Sequence, residues 1–343
     1  MRPWLAAVLA LLSVAGWGVR ASLASPVLLT IYAYDSFAAP GGLGPEIIPK
    51  FEKKCGCQVR LLASGDGSQL ISRLALDAER GKSGAQIVIG LDGPAAQRAR
   101  GYIDSSVGGS GREELAPEVK AAGLPAGFVP YDFGYFAFMA DRDQLKRQNL
   151  KLPARFSDLL RPEWRRNLIL EDPRTSTPGL AFALYADTLG ADWSKLRAQW
   201  LTLAPGWDGA YGLFLKAEAP LVWSYTTSQA YHQEHGDRSG RYQAVIFEEG
   251  QPIQVEAAAL VKNSFNGPEG ARQRALAQSF LEFLLSKEVQ ALLPTRNWMY
   301  PARKGVALPA SFEGVPKPAR VIRLEADPEK IKASLNQWTR TVQ

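Results

Sequence analysis

The order of apolar and amphipathic runs near the N-terminus constrains this fold more than any other feature of the sequence. Residues 27–32 and 58–63 have the composition of strands, and residues 87–91 (Ile-Val-Ile-Gly-Leu) are typical of a strand buried on both faces. Residues 45–54 and 68–80 carry apolar side chains at helical spacing. The β-α-β-α-β order predicts an α/β fold with an open sheet covered on both faces.

A second α/β unit is predicted to begin near residue 130. Its strands are expected at residues 135–139, 168–170, 221–225 and 242–247, with a helix at 207–216. Residues 253–261 read as a strand that returns to the first unit. We therefore predict two lobes: residues 25–129 plus 253–305 form the first, and 130–252 plus 306–343 form the second, with a C-terminal helix packing on it.

Three loops follow the strands of the first predicted sheet. They are Tyr34-Asp35-Ser36, Gly65-Asp66-Gly67 and Asp92-Gly93. Open sheets of this class bind ligands at the carboxyl ends of their strands, so these loops are expected to meet at one edge, beside a ligand.

Residues 1–24 have the pattern of a signal peptide. Arg2 precedes an apolar run at residues 5–14, and Ser22-Leu23-Ala24 supplies small residues for cleavage, which we expect after Ala24. The apolar run is shorter than the ~20 residues that span a bilayer. The mature chain is expected to be exported and soluble, without membrane insertion. In an oxidising compartment Cys55 and Cys57 can pair with each other or stay reduced.

Composition and charge exclude several classes of protein. Hydrophobic residues make up 46% and charged residues 22% of the 343, which is typical of globular domains and not of disordered chains. The net charge is +6, but Lys and Arg are scattered rather than clustered. We expect no nucleic-acid partner.

Motifs of catalysis and metal binding are missing from the sequence. It contains no phosphate-binding G-x-x-x-x-G-K-[ST], no G-x-G-x-x-G that opens a helix and no G-x-S-x-G. The two histidines, His232 and His235, are spaced either as metal ligands on one helix face or as part of a solvated surface. We predict no metal and no catalytic residue, although paired carboxylates of a glycosidase leave no local signature.

Aromatic residues beside glycines and hydroxyl residues are the candidates for binding. They are Trp207, Tyr211, Tyr225, Tyr231, Trp298 and Tyr300. Each is either a stacking surface for a flat or cationic ring or a plug at the edge of the core. Residues 175–179 (Thr-Ser-Thr-Pro-Gly) either bind an anion at a helix start or cap that helix, with Ser176 or Thr177 as the N-cap.

Several motifs together resemble the periplasmic thiamine-binding proteins of bacterial ABC importers. They are Tyr32-Ala33-Tyr34-Asp35-Ser36-Phe37, Cys55-Gly56-Cys57, residues 132–138, residues 172–179, residues 210–215, Ser224-Tyr225-Thr226-Thr227-Ser228, Ala230-Tyr231-His232 and Asn297-Trp298-Met299-Tyr300-Pro301. The resemblance covers essentially the whole mature chain. It implies a periplasmic-binding-protein-like fold, in which hinge strands join two α/β lobes with a cleft between them.

The resemblance also implies a ligand and its contacts. The transported ligand would be thiamine, thiamine monophosphate or thiamine diphosphate, with no cofactor. Asp66 would pair with the aminopyrimidine. The ring pocket would be lined by Trp207, Tyr225, Tyr231 and Trp298. The hydroxyethyl arm and its phosphate would lie near Tyr34, Ser176 and Gly179. The implied protein is a periplasmic monomer that delivers its ligand to an inner-membrane permease with its ATPase.

One departure and two alternatives accompany the resemblance. The family can carry a tryptophan just after the Tyr34 motif, whereas residues 40–44 (Pro-Gly-Gly-Leu-Gly) contain none. The same fold can bind iron or another anion, for which paired tyrosinates are expected. An exported enzyme that degrades thiamine would need a reactive cysteine in the cleft, whereas Cys55 and Cys57 are expected on the outer side of the lobe.

Overall fold

The structure, a computed structural model, describes residues 26–107, 112–237, 239–324 and 326–342. The predicted signal peptide, residues 1–24, lies outside these ranges. Across the described ranges, no helix is both long and apolar enough to cross a membrane.

The first lobe is built on parallel strands that the sequence predicts closely. Its strands are β1 (Leu28–Ala33), β2 (Gln58–Ala63) and β3 (Ile87–Leu91), in the order β2-β1-β3. Its first helices are α1 (Asp35–Ala38), α2 (Leu43–Cys55), α3 (Gly67–Glu79), α4 (Gly93–Ala99) and α5 (Pro117–Ala121). Every residue of β3 is buried, as its unbroken apolar run predicts.

The second lobe begins on a long strand, β4 (Phe128–Asp141), where the sequence predicts a strand only at 135–139. Its other strands are β5 (Leu168–Glu171), β6 (Trp200–Ala204), β7 (Leu221–Tyr225) and β8 (Tyr242–Val245). Its helices are α6 (Arg142–Arg147), α7 (Thr177–Thr188), α8 (Trp193–Arg197), α9 (Trp207–Leu215) and α10 (Ser228–Glu234). Strands β7, β5 and β6 are parallel, so their carboxyl ends also share an edge.

Two long strands connect the lobes. Strand β9 (Gln251–Leu260) lies antiparallel to both β3 and β4, and β4 continues to pair with β7 in the second lobe. The remaining elements are α11 (Gly270–Leu284), α12 (Lys287–Gln290), α13 (Leu293–Arg296), β10 (Tyr300–Pro301), β11 (Val321–Ile322) and α14 (Pro328–Val342). The predicted lobe boundaries at residues 129/130 and 252/253 fall inside β4 and β9, and the exact division stays a prediction.

The C-terminal helix α14 is held by an aromatic cluster. The Trp338 ring is fully buried and stacks on Trp200 of β6, with 5.1 Å between the ring centroids. The Trp193 ring of α8 meets Trp338 edge-on at 5.7 Å. The helix therefore packs on second-lobe elements.

Cys55 and Cys57 form a disulfide at the end of α2, which resolves the alternative that the sequence left open. Gly56 between them has φ +64°, a left-handed conformation that glycine adopts without strain and that also ends the helix.

Candidate functional site

A cleft between the lobes brings together six of the eight predicted site residues. They are Tyr34, Asp66, Trp207, Tyr225, Tyr231 and Trp298. These residues are far apart in the sequence: Tyr34 and Asp66 follow strands, Tyr225 ends a strand, Trp207 and Tyr231 lie in helices, and Trp298 lies between α13 and β10. The other two, Ser176 and Gly179, do not line the cleft.

One wall of the cleft is aromatic and is braced by its own hydrogen bonds. The Trp207 ring, at the start of α9, stacks on Tyr211 with 4.7 Å between centroids, and its Nε1–H donates to Ser224 Oγ at 2.8 Å. The Tyr211 hydroxyl lies 2.8 Å from His232 Nε2. Burial lowers the pKa of His232 to about 4, so this imidazole is neutral at pH 7. The wall is therefore held in place by contacts within the protein.

Tyr231 and Trp298 form a second aromatic surface, and both rings are half-buried. Their centroids lie 5.2 Å apart in an edge-to-face arrangement. Trp298 has φ +54°, a left-handed conformation that is uncommon for a large side chain and that occurs mostly where the surrounding structure requires it.

The two histidines do not converge on a metal site. His232 contacts Tyr211, whereas His235 Nδ1 lies 2.8 Å from the backbone oxygen of Tyr231. Among the described residues, no group of three or more His, Cys, Asp or Glu could hold a metal ion.

Asp66 lies where the two lobes touch. It is the N-cap of α3, and its Oδ1 accepts the Gly67 N–H at 2.6 Å. The Thr177 hydroxyl, at the start of α7 in the second lobe, donates to the same oxygen at 2.9 Å. Burial raises the pKa of Asp66, while hydrogen bonds from Gly67, Thr177 and Ser176 oppose that rise. One carboxylate thus interacts with two helix N-termini, which favour negative charge.

Ser176 lies directly behind this contact. It is fully buried, and its Oγ accepts the Gly179 N–H at 3.2 Å, so Ser176 rather than Thr177 is the N-cap of α7. The residues of this segment that line the cleft are Thr177 and Pro178. The phosphate role predicted for Ser176 and Gly179 stays a prediction.

The floor of the cleft is acidic, which the sequence analysis missed. The Tyr34 hydroxyl donates to Glu256 Oε2 at 2.9 Å, and the Tyr131 hydroxyl donates to the same oxygen at 2.8 Å. Glu256 lines the cleft, and its cross-strand partner on β4 is the fully buried Asp132. The available signal was a glutamate within the apolar run of β9.

The rim beside Tyr34 has no aromatic ring. Ala39, Pro40, Gly41 and Gly42 line the cleft there. This segment directly follows the Tyr34 motif and carries no tryptophan, so none of these four residues supplies a ring to the cleft.

Comparison with known proteins agrees with this architecture. Residues 105–328 match the family described as bacterial extracellular solute-binding protein, the class that two lobes around a cleft define. A curated relative, the thiamine-binding periplasmic protein of Salmonella typhimurium (strain LT2), is 40% identical over 330 residues, which are 92% of each chain. The chain belongs to the bacterial extracellular solute-binding proteins and, within them, to the family of thiamine-binding periplasmic proteins.

Solved structures extend the comparison. A structure described as a periplasmic thiamin binding protein superposes with a TM-score of 0.80 at 38% identity, covering 93% of this chain and 97% of the other. The apo ferric ion-binding protein A of Pasteurella haemolytica reaches a TM-score of 0.72 at 17% identity, over 92% and 98% of the two chains. At that identity the second likeness concerns the fold alone. The predicted family and fold class are confirmed.

Proposed function

We propose that this chain captures thiamine and its phosphates in the periplasm and delivers them to the permease of an ABC importer. One observation carries the proposal: aromatic rings from both sides of a cleft surround a carboxylate at the junction of the lobes. Thiamine combines a flat aminopyrimidine with a cationic thiazolium ring. Aromatic faces attract a desolvated cation by ~2 kcal/mol per good contact, and a carboxylate accepts a hydrogen bond from the exocyclic amine.

Capture by closure of two lobes follows from the contacts. Tyr34 and Asp66 belong to the first lobe, whereas Trp207 and Tyr225 belong to the second. A ligand that touches both sets gains more contacts when the lobes are closed, so its binding favours the closed form. The permease is then expected to recognise that form.

The alternatives receive less support from the site. Paired tyrosinates would suit iron, but the Tyr225 hydroxyl donates to Gln254 Oε1 at 2.8 Å, and the cleft is rich in rings that do not ligate metals. A thiamine-degrading enzyme would need a cysteine nucleophile in the cleft. Cys55 and Cys57 are joined in a disulfide and do not line it. We infer a binding protein without catalytic activity.

Calorimetry with thiamine tests the proposal. Wild-type protein is expected to bind one thiamine with a dissociation constant of about 1 µM or lower. Trp298→Ala is expected to weaken binding by about tenfold or more, because it removes a stacking face worth over ~1 kcal/mol. Tyr102→Ala is the matched control, since Tyr102 is half-buried in the first lobe and does not line the cleft.

One outcome of this calorimetry and two further measurements complete the test. Absence of thiamine binding by the folded wild-type protein would contradict the proposal. Conversion of thiamine during incubation would favour the enzyme. N-terminal sequencing of the exported protein tests the cleavage predicted after Ala24.

A further inference from the structure

Two carboxyl groups are paired across the strands that connect the lobes, and one of them lines the floor of the cleft. Asp132 of β4 and Glu256 of β9 are cross-strand partners. Glu256 is 8% exposed and lines the cleft, whereas Asp132 is fully buried. Glu256 Oε2 accepts hydrogen bonds from Tyr34 and Tyr131, and its Oε1 accepts one from Gln254 Nε2 at 2.7 Å. Asn297 Nδ2 also donates to Oε2, at 3.4 Å, and all four donors are uncharged.

No cation neutralises this pair within the described residues. Asn297 Nδ2 donates to Asp132 Oδ2 at 2.6 Å, and Asp132 Oδ1 has no hydrogen-bond partner. Arg296 is among the residues that line the cleft, but its guanidinium lies 3.5 Å from a carboxylate oxygen of Glu46. The other titratable groups that act on the pair or on its tyrosine neighbours are acids or tyrosines: Tyr34, Asp66, Asp92, Tyr131, Glu171 and Tyr225.

The pair cannot carry two negative charges without a cation beside it. Burial, and then the charge of Glu256, raises the pKa of Asp132 well above its usual value. Burial also raises the pKa of Glu256, but the hydroxyls of Tyr131 and Tyr34 stabilise its charged form. Adjacent buried carboxyl groups of this kind share one proton. The causes of the two shifts favour the proton on Asp132 and the negative charge on Glu256.

We propose that Glu256 is a ligand-binding residue and that it receives, with Asp132, the cationic ring of the ligand while their shared proton leaves to the solvent. The inference rests on the proposed function, because thiamine carries a permanent positive charge on its thiazolium ring. The exchange balances: one cation enters, one proton leaves to the buffer, and the pair goes from one negative charge to two. A cation within about 4–6 Å of a carboxyl group favours its ionised form.

Counting protons in the wild-type protein is the first test. Calorimetry in two buffers of different ionisation enthalpy, between about pH 6.5 and pH 8.5, is expected to show release of up to one proton for each thiamine. The affinity is then expected to rise with pH. A neutral aminopyrimidine alcohol without the thiazolium ring is expected to release none. Thiamine binding without proton release at any pH in this range would overturn the exchange.

Variants of the pair are the second test. Glu256→Gln is expected to weaken thiamine binding about thirtyfold and to change binding of the neutral pyrimidine less than about threefold, because only the cation needs the counter-charge. Asp132→Asn is expected to abolish proton release while keeping most of the affinity. Glu171→Gln is the matched control: its carboxyl is buried without a hydrogen-bond partner but does not line the cleft, so proton release should persist.

Some outcomes separate this inference from the proposed function. Equal losses for both ligands in Glu256→Gln, or tight binding of thiamine by that variant, would overturn the role of Glu256 and leave thiamine transport standing. A wild-type protein that binds no thiamine would contradict the proposed function itself. The proton count is made on the wild-type protein, so it tests the proton exchange even if Glu256→Gln does not fold.

Discussion

Two helices of the first lobe begin with the same dipeptide, and their surroundings give them different chemistry. Helix α3 begins at Asp66-Gly67 and α4 begins at Asp92-Gly93, each just after a parallel strand. Both aspartates are N-caps with extended backbone conformation. The local sequence therefore gives both segments the same structure, as capping preferences lead one to expect.

The aspartate side chains differ in what lies opposite them. Asp66 lines the cleft and accepts a hydrogen bond from Thr177 across it. Asp92 is 2% exposed, and although its Oδ1 accepts the Ala95 N–H at 2.9 Å, its Oδ2 has no partner. Burial raises the pKa of Asp92 to about 7. Asp66 is therefore placed to bind a ligand, whereas Asp92 is a buried acid whose ionisation destabilises the fold.

The largest expected effect is on stability, at Asp92. Its pKa is about 7 in the folded protein and near 4 in the unfolded chain, so between these values only the folded state holds the proton. The contribution of Asp92 to the free energy of unfolding therefore falls as the pH rises from about 4 to about 7. Asp92→Asn keeps the cap but cannot ionise. Its stability relative to wild type should rise by roughly 2–4 kcal/mol from about pH 4 to pH 8.

Urea unfolding across this pH range measures that difference. Asp66→Asn is the comparison variant, because Asp66 caps α3 in the same way but accepts a further hydrogen bond. If the free energies of unfolding of Asp92→Asn and wild type changed in parallel with pH, Asp92 would ionise in the folded protein as it does in the unfolded chain. The contrast between the two aspartates would then fail.

Thiamine affinity should depend on Asp66 more than on Asp92, the reverse of the order expected for stability. Asp66→Asn is expected to weaken thiamine binding by ~1.5–3 kcal/mol, the range for loss of a charged hydrogen bond. Asp92→Asn should change it by less than ~0.5 kcal/mol, because Asp92 does not line the cleft. Calorimetry on both variants checks this, and similar losses at the two positions would show that the effect is only long-range charge.

The glycines that follow these aspartates offer a third contrast. A Cβ atom on Gly67 would lie 2.4 Å from Thr177 Cγ2 of the other lobe, whereas a Cβ on Gly93 would meet no atom within 4 Å. Gly67→Ala is therefore expected to hinder closure and to weaken thiamine binding by ~1–3 kcal/mol, the usual cost of overpacking. Gly93→Ala should have no such effect.

Small-angle scattering and a double variant sharpen this test. The thiamine-bound Gly67→Ala protein should keep a larger radius of gyration than bound wild type. Thr177→Ser removes the methyl group and keeps the hydroxyl, so it should restore affinity when combined with Gly67→Ala. An unrestored double variant would place the defect in α3 itself and not between the lobes.

Much of the fold could be predicted because its signals are local. Strands β2 and β3 were predicted to the residue, since their composition and length suffice. Strand β6, residues 200–204, was missed: among the described strands it pairs with β5 alone, and its middle residues are half-buried, so it shows no clear alternation. The extension of β4 to Phe128 was also missed, because Pro130 interrupts the local strand pattern.

The site was predicted unevenly for a different physical reason. Aromatic residues beside glycines and hydroxyl residues have a recognisable local pattern, and the resemblance assigned five of them, together with Asp66, that line the cleft. Glu256 belongs to no motif, and its proposed role depends on Tyr34 and Asp132, which meet it from distant segments of the chain. The difference between Asp66 and Asp92 likewise arises from Thr177 and not from either segment. Local sequence patterns do not predict which distant segments come into contact.

The smallest expected effect concerns Ser176, which caps the helix that faces Asp66. Because its buried Oγ accepts the Gly179 N–H, Ser176→Ala should lower the free energy of unfolding by ~1 kcal/mol. The start of α7 favours negative charge, and in the empty protein the Asp66 carboxylate supplies it. A ligand phosphate would use the same helix start. Ser176→Ala should therefore weaken binding of thiamine monophosphate by ~0.5–1 kcal/mol more than binding of thiamine. Calorimetry with both ligands measures this difference. Equal losses would make Ser176 a helix cap alone, with no part in binding the phosphate.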